Sequence, residues 1–163
     1  MNKMVRWIIG CAAFLLACLV LYLKLNPPLA SNGYGWSSAQ PGLVTVELQN
    51  ESFHGVKLKK VFVNEGGRPC KVDLGVSRSS ALIGIFALKE EIDGISFHPI
   101  DEYEIEPKLN REEVIELEEL DNRSTIRHYG LAVDHCKKVD SVTVKYTYFG
   151  FPYKKEIKIE RME

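Results

Sequence analysis

Apolar residues follow two rhythms along this chain. From Trp7 to Leu23 they are continuous: WIIGCAAFLLACLVLYL holds neither charge nor proline. From Leu43 onward they alternate. Val44, Val46 and Leu48 face one way and Thr45, Glu47 and Gln49 the other, the period of a half-buried strand. Val56 and Leu58 share a face, as do Val61 and Val63, but the two pairs are out of phase. One extra residue near Lys59-Lys60 restores the phase, which predicts a β-bulge or strand break there. Asn64-Glu65-Gly66-Gly67 carries a turn signal, after which Cys70, Val72 and Leu74 resume the alternation. Ser77–Glu91 has apolar residues on both sides, with Ile83, Ile85 and Phe86 as strand formers, and reads as a fully buried strand. Ile95–His98 is a short strand, and Pro99 and Pro107 punctuate loops. Glu112–Leu120 fits either period and is read as a strand, because its neighbours are strands. Tyr129, Leu131 and Val133 alternate again, as do Val142, Val144, Tyr146 and Tyr148. Gly150-Phe151-Pro152 turns the chain into a last strand carrying Ile157 and Ile159, so the final pair is a hairpin.

The continuous run behaves differently. Its seventeen residues span roughly 25 Å as a helix, and Leu25 with a snorkelling Lys24 extends it toward the roughly 30 Å of a hydrocarbon core. Asn26-Pro27-Pro28 ends it. Lys3, Arg6 and the amino terminus precede the run, whereas Lys24 alone follows it. The positive-inside rule then leaves residues 1–6 in the cytoplasm and the C-terminal bulk outside. A retained single-pass anchor over residues 7–25 is the reading adopted. A cleaved signal peptide and a lipoprotein signal compete with it: Leu15-Leu16-Ala17-Cys18 resembles a lipobox, although the apolar LVLYL follows Cys18 where such signals turn polar.

The first 42 residues hold three of the 21 basic residues and no acid. The remainder therefore has 18 bases against 22 acids, a net charge of −4. A nucleic-acid partner would want a basic patch, so none is expected. Residues 26–42, NPPLASNGYGWSSAQPG, are rich in Pro, Gly, Ser and Asn and read as a flexible linker. Residues 43–163 suffice for one ordinary domain.

About eight short strands with turns every ten residues or so make the domain all-β, a β-sandwich behind a transmembrane helix. Phe62-Val63-Asn64-Glu65-Gly66-Gly67-Arg68-Pro69-Cys70-Lys71-Val72 resembles the V-x-N-x-G-x-x-P-x-x-V hairpin of many bacterial immunoglobulin-like and fibronectin-III-like modules. Tyr129-Gly130-Leu131-Ala132-Val133 resembles their tyrosine corner, although the Leu-x-Pro that usually precedes it is absent. The resemblance implies an immunoglobulin-like sandwich, with the Tyr129 hydroxyl bonded to nearby backbone. It implies little about function.

Few residues offer chemistry. Asp134-His135-Cys136, with His128 close by, is the nearest approach to a reactive cluster. It lacks zinc-site spacing, and adjacent residues on an extended strand face opposite ways, so His135 is poorly placed to activate Cys136. Ser77-Arg78-Ser79-Ser80 lacks the features of a P-loop or nucleophile elbow. The acidic run from Glu112 to Asp121 lacks a calcium-loop pattern. No catalytic, cofactor-binding or metal-ligating residue is therefore assigned, and no cofactor is expected. Asn50-Glu51-Ser52 and Asn122-Arg123-Ser124 fit the glycosylation sequon. Cys70 and Cys136 are the two cysteines outside the anchor and a candidate disulfide in an oxidising compartment. Cys70 shares parity with Val72 and Leu74 and is expected to face the core. Cys136 falls out of phase with Val133 unless the strand ends or bulges near Asp134-His135. Phe149, Phe151 and Tyr153 surround a turn and form a candidate docking tip.

These features lead to the expectation of a membrane-anchored, non-enzymatic interaction or structural module of the cell envelope. Its expected partners are the membrane and another envelope or membrane protein. An accessory subunit packing through the small residues Gly10, Ala13 and Ala17 is the alternative, and an enzyme with an unseen site a further one.

Overall fold

The computed structural model describes residues 3–78, 83–84, 94–119 and 128–161. Helix α1 runs over Lys3–Leu25 and stops before the two prolines, as the sequence requires. The Asn26 N–H and Nδ2 both donate to the Tyr22 carbonyl at 3.1 and 2.9 Å, closing the last turn. The helix is long and apolar enough to cross a membrane, and Leu23 is its buried residue.

Residues 26–42, expected as a flexible linker, contribute two strands. β1 (Leu29–Ala30) and β2 (Tyr34–Trp36) both pair with β3 (Leu43–Asn50). Leu29 is 1% exposed, and burying a leucine is worth about 1.5–3 kcal/mol. That apolar contact is what a Pro/Gly/Ser-rich composition conceals.

Two antiparallel sheets follow. The first has the order β1-β3-β8-β5-β6 with β2 also on β3, and uses β5 (Lys71–Ser77), β6 (Ile95–His98) and β8 (His128–Asp134). The second has the order β10-β9-β4-β7, from β4 (Val56–Val63), β7 (Glu104–Ile105), β9 (Ser141–Tyr148) and β10 (Phe151–Lys158). One apolar cluster joins them: Val44, Val46, Leu48, Leu74 and Leu131 from the first sheet, Val56, Leu58, Val63, Val144 and Tyr146 from the second. This is an all-β, two-sheet architecture compatible with a β-sandwich. The register of β4 against β9 shifts between Leu58 and Lys60, the bulge that the out-of-phase valines demand.

Two expectations change, and a third falls mostly outside the described residues. Glu112–Leu120 was expected as a strand, but Arg111–Glu119 is helix α2. The signal lies just upstream, in a capping box. The Glu113 N–H donates to Asn110 Oδ1, and the Asn110 N–H donates to Glu113 Oε2, both at 2.8 Å. Glu112 and Glu113 also favour the positive end of the helix dipole. Next, the Asn64 turn does not close a hairpin, because β4 and β5 belong to different sheets. It carries the chain between sheets, with Asn64 in the left-handed region at φ 48°. Asn64 Nδ2 donates to the Lys138 carbonyl at 3.0 Å, and its Oδ1 accepts from the Asp140 N–H at 2.8 Å. Finally, β5 ends at Ser77 and the buried Ile83 lies over the Gly75–Gly130 pair, where added Cβ atoms would meet it at 2.9 and 2.7 Å. Most of the Ser77–Glu91 strand expected from the sequence lies outside the described residues.

Tyr129 is buried, and its hydroxyl accepts a hydrogen bond from the Glu106 N–H at 3.1 Å. The bond is not to nearby backbone. It spans from β8 to the segment after β7, linking the two sheets. Burial pushes the hydroxyls of Tyr129 and Tyr146 up to about 12, from an ordinary 10.0. Both are held neutral by the fold, so their stabilisation is complete below pH 10 and is lost as pH rises toward 12. Thermal melts should therefore fall steeply across that interval. Tyr129→Phe should lower the neutral-pH stability by about 1 kcal/mol and flatten the alkaline decline. A melting temperature equal to the parent's would remove the inter-sheet role of this hydroxyl.

Candidate functional site

Strand directions sort the functional residues into two poles. β3 ends, β4 begins, β9 ends and β10 begins at the pole where α1 enters. β5 begins and β8 ends at the opposite pole, beside the start of β3.

The opposite pole holds the thiols. β8 ends at Asp134, so the alternation rule no longer governs His135 and Cys136. The His135 N–H donates to the Gly42 carbonyl at 3.0 Å, and the Cys70 N–H to the Asp134 carbonyl at 2.8 Å. Gly42 is required here, since a Cβ would collide with the His135 backbone. These bonds bring Cys70 Sγ to 3.1 Å from Cys136 Sγ. Both cysteines are exposed, which corrects the core-facing placement of Cys70: it lies just before β5 and escapes the strand's parity. Sharing a hydrogen bond with Cys136 holds the Cys70 thiol above its usual range, the opposite of what an activated nucleophile needs. Donor atoms of Cys70, His135 and Cys136 all lie within 4.8 Å of one another. Two sulfurs and an imidazole suit a soft cation such as zinc. The sequence obscured this set because its members come from two segments 66 residues apart.

The α1 pole holds the aromatics, and the expected tip is divided. Phe151 and Tyr153 pack against the core. Tyr153 stacks on Tyr146 at 5.4 Å, and its hydroxyl donates to the Leu23 carbonyl at 2.8 Å. Of the three, Phe149 is the exposed one. It forms a two-residue turn with Gly150, both at positive φ (47° and 76°), between the paired Tyr148 and Phe151. A phenylalanine in that region is strained by about 1–2 kcal/mol. Its ring stacks on His54 at 4.7 Å and meets Phe53 at 5.9 Å. Phe53, at 77%, is the most exposed large apolar side chain outside α1 among the described residues. Hydrophobic periodicity does not mark it, because it sits in a loop.

Asn50 builds that loop. It is 1% exposed. Nδ2 donates to the carbonyls of His54 and Ile105, both at 2.8 Å, and Oδ1 accepts from the Ser52 N–H at 3.0 Å and hydroxyl at 2.6 Å. A sequon asparagine so engaged is not free to carry a glycan in the fold. The second sequon lies outside the described residues.

No family model, curated protein or solved structure matches the chain. Its class therefore rests on its own geometry: a two-sheet antiparallel β domain joined to a long apolar helix.

Asn50→Ala should destabilise the domain by about 1–3 kcal/mol, because two carbonyls, an N–H and a hydroxyl each lose a partner. Phe149→Asn should melt no lower than the parent, since asparagine tolerates the left-handed turn. Chemical denaturation of both variants checks this; a marginal cost for the first or a large cost for the second would contradict it.

Proposed function

We propose that this protein is a single-pass, membrane-anchored, non-enzymatic module. Its immunoglobulin-like sandwich lies outside the cytoplasmic face and serves interaction or structure at the cell envelope. The observation that carries the reading is the junction. α1 passes through three residues directly into β1, Leu23 packs into the sandwich core, and Tyr153 bonds to the Leu23 carbonyl. The domain is thereby held against the end of an apolar helix in a defined orientation. Lys3 and Arg6 before the helix support an N-in topology. The raised Cys70 thiol supports a non-catalytic role for the Cys70–His135–Cys136 cluster.

The same reading gives the thiol pair a purpose. In an oxidising compartment Cys70 and Cys136 form a disulfide, with two electrons and two protons passing to an external disulfide that leaves as a dithiol. On the chain-entropy model the closed loop stabilises the fold by about 4 kcal/mol.

Two measurements test this. An impermeant maleimide should label Glu65→Cys, in a chain whose four cysteines are serine, on intact spheroplasts; labelling only after permeabilisation would overturn the topology. Alkylation of the parent without reductant should leave Cys70 and Cys136 unmodified, and reductant should expose both and lower the melting temperature. Two alkylated thiols, or a bound metal, would overturn the disulfide.

A further inference from the structure

The aromatic residues at the α1 pole form a connected series. It starts at the anchor itself, where the Tyr153 hydroxyl holds the Leu23 carbonyl. Tyr153 meets Tyr148 at 6.4 Å, Tyr148 meets Phe149 at 4.7 Å, and Phe149 meets His54 and Phe53 at 4.7 and 5.9 Å. The inner members are buried or half-buried. The outer members, Phe53 and Phe149, are 77% and 46% exposed. Phe53 also lines one groove with Tyr22 and Leu25 of the last helical turn, so its ring lies at the level of that turn.

That level has a physical meaning if α1 spans a bilayer. About twenty residues cross the hydrocarbon core, which brings the last turn of a helix ending at Leu25 to the headgroup layer. Side chains beside that turn then face the same layer. Interfacial protein segments bury phenylalanine rings shallowly at the headgroup–acyl boundary, whereas two exposed phenylalanines in water are a cost. Phe149 adds a second, independent observation. A two-residue turn favours asparagine or glycine, yet this one holds an aromatic ring in a left-handed backbone against its preference. Asn50 fixes the loop that carries Phe53, so the ring is presented on a defined support. Charge at the groove is mixed: Glu51, Lys108 and Glu113 line it, with Lys108 paired to Glu51 at 3.7 Å. Attraction to anionic lipid is therefore not the driving term.

We infer that Phe53 and Phe149 insert into the headgroup layer of the membrane that α1 spans, forming an aromatic foot that seats the sandwich on the lipid surface. The expected docking tip thus has the lipid interface as its partner. This rests on the anchor reading, and the experiment separates the two.

The full-length chain, its cysteines replaced by serine, receives a nitroxide at one position at a time and is reconstituted in phosphatidylcholine vesicles. The positions are Phe53→Cys, Phe149→Cys, Glu65→Cys at the opposite pole, and native Cys18 retained alone. The ratio of collisions with oxygen to collisions with a polar nickel chelate reports lipid contact. Positions 53 and 149 should give ratios several-fold above position 65 and below Cys18, unchanged by adding phosphatidylglycerol or salt. Ratios at 53 and 149 equal to that at 65, with Cys18 in lipid, would overturn the foot and leave the anchor standing. Low collision rates with both reagents at 53 would mean that a protein surface covers it, and would also overturn the proposal. A water-like ratio at Cys18 would remove the anchor and the foot together. Circular dichroism of each labelled chain checks that the fold persists.

Discussion

Strand β3 is occupied along both edges, and the rest of the molecule depends on that. One edge carries β8 over six residue pairs, from Leu43–Asp134 to Leu48–Tyr129. The other carries β2 near the start of β3 and β1 at its end. Its inward side chains Val44, Val46 and Leu48 are buried in the apolar cluster shared with the second sheet. The strand therefore fixes three things together: the register of the first sheet, the depth of the core and the point at which α1 enters. A one-residue slip would turn its apolar face outward, and both poles would lose their geometry.

Asn50, at the end of the same strand, transmits this order into the loops. Four hydrogen bonds from one buried amide tie the 51–55 loop to β7. At the opposite pole Asn64 grips the 138–141 segment, and Arg161 Nη2 donates to the carbonyls of Pro41 and Val139 at 2.7 and 2.9 Å. Loops closed by side-chain amides and guanidinium groups hold side chains in fixed places. Backbone bonds from His135 to Gly42 and from Cys70 to Asp134 then let Cys70, His135 and Cys136 form a cluster although no ligand-spacing motif marks them.

Much of the two-sheet fold was legible because its strands obey one rule. A two-residue period in β3, β8 and β9 announces a half-buried sheet, and the phase slip at Lys59-Lys60 announces the bulge. What escaped was governed by other physics. The helix at Arg111–Glu119 is set by Asn110 reaching Glu113, a contact between polar side chains that hydrophobic period does not register. β1 and β2 hide in a composition that looks flexible, since a single buried Leu29 outweighs its neighbours. Cys70 departs from its strand's parity because the strand begins one residue later. Phe53 belongs to a loop and has no period at all. Pairing strands by adjacency also misled at Asn64, where the turn changes sheets.

The short passage from α1 to β3 has a mechanical consequence. The strands of the two sheets run between the α1 pole and the opposite one, and β1 lies antiparallel against the end of β3. Ladder bonds in such a pair run across the strands. A pull applied at the far pole and resisted by α1 would act along the strands and load these bonds in shear, all at once, instead of peeling them singly. The Glu51 N–H to Pro28 carbonyl bond at 2.9 Å and the buried Leu29 side chain share that load. The joint between the helix and the β domain is thus better suited to bearing tension than its two-residue strand suggests.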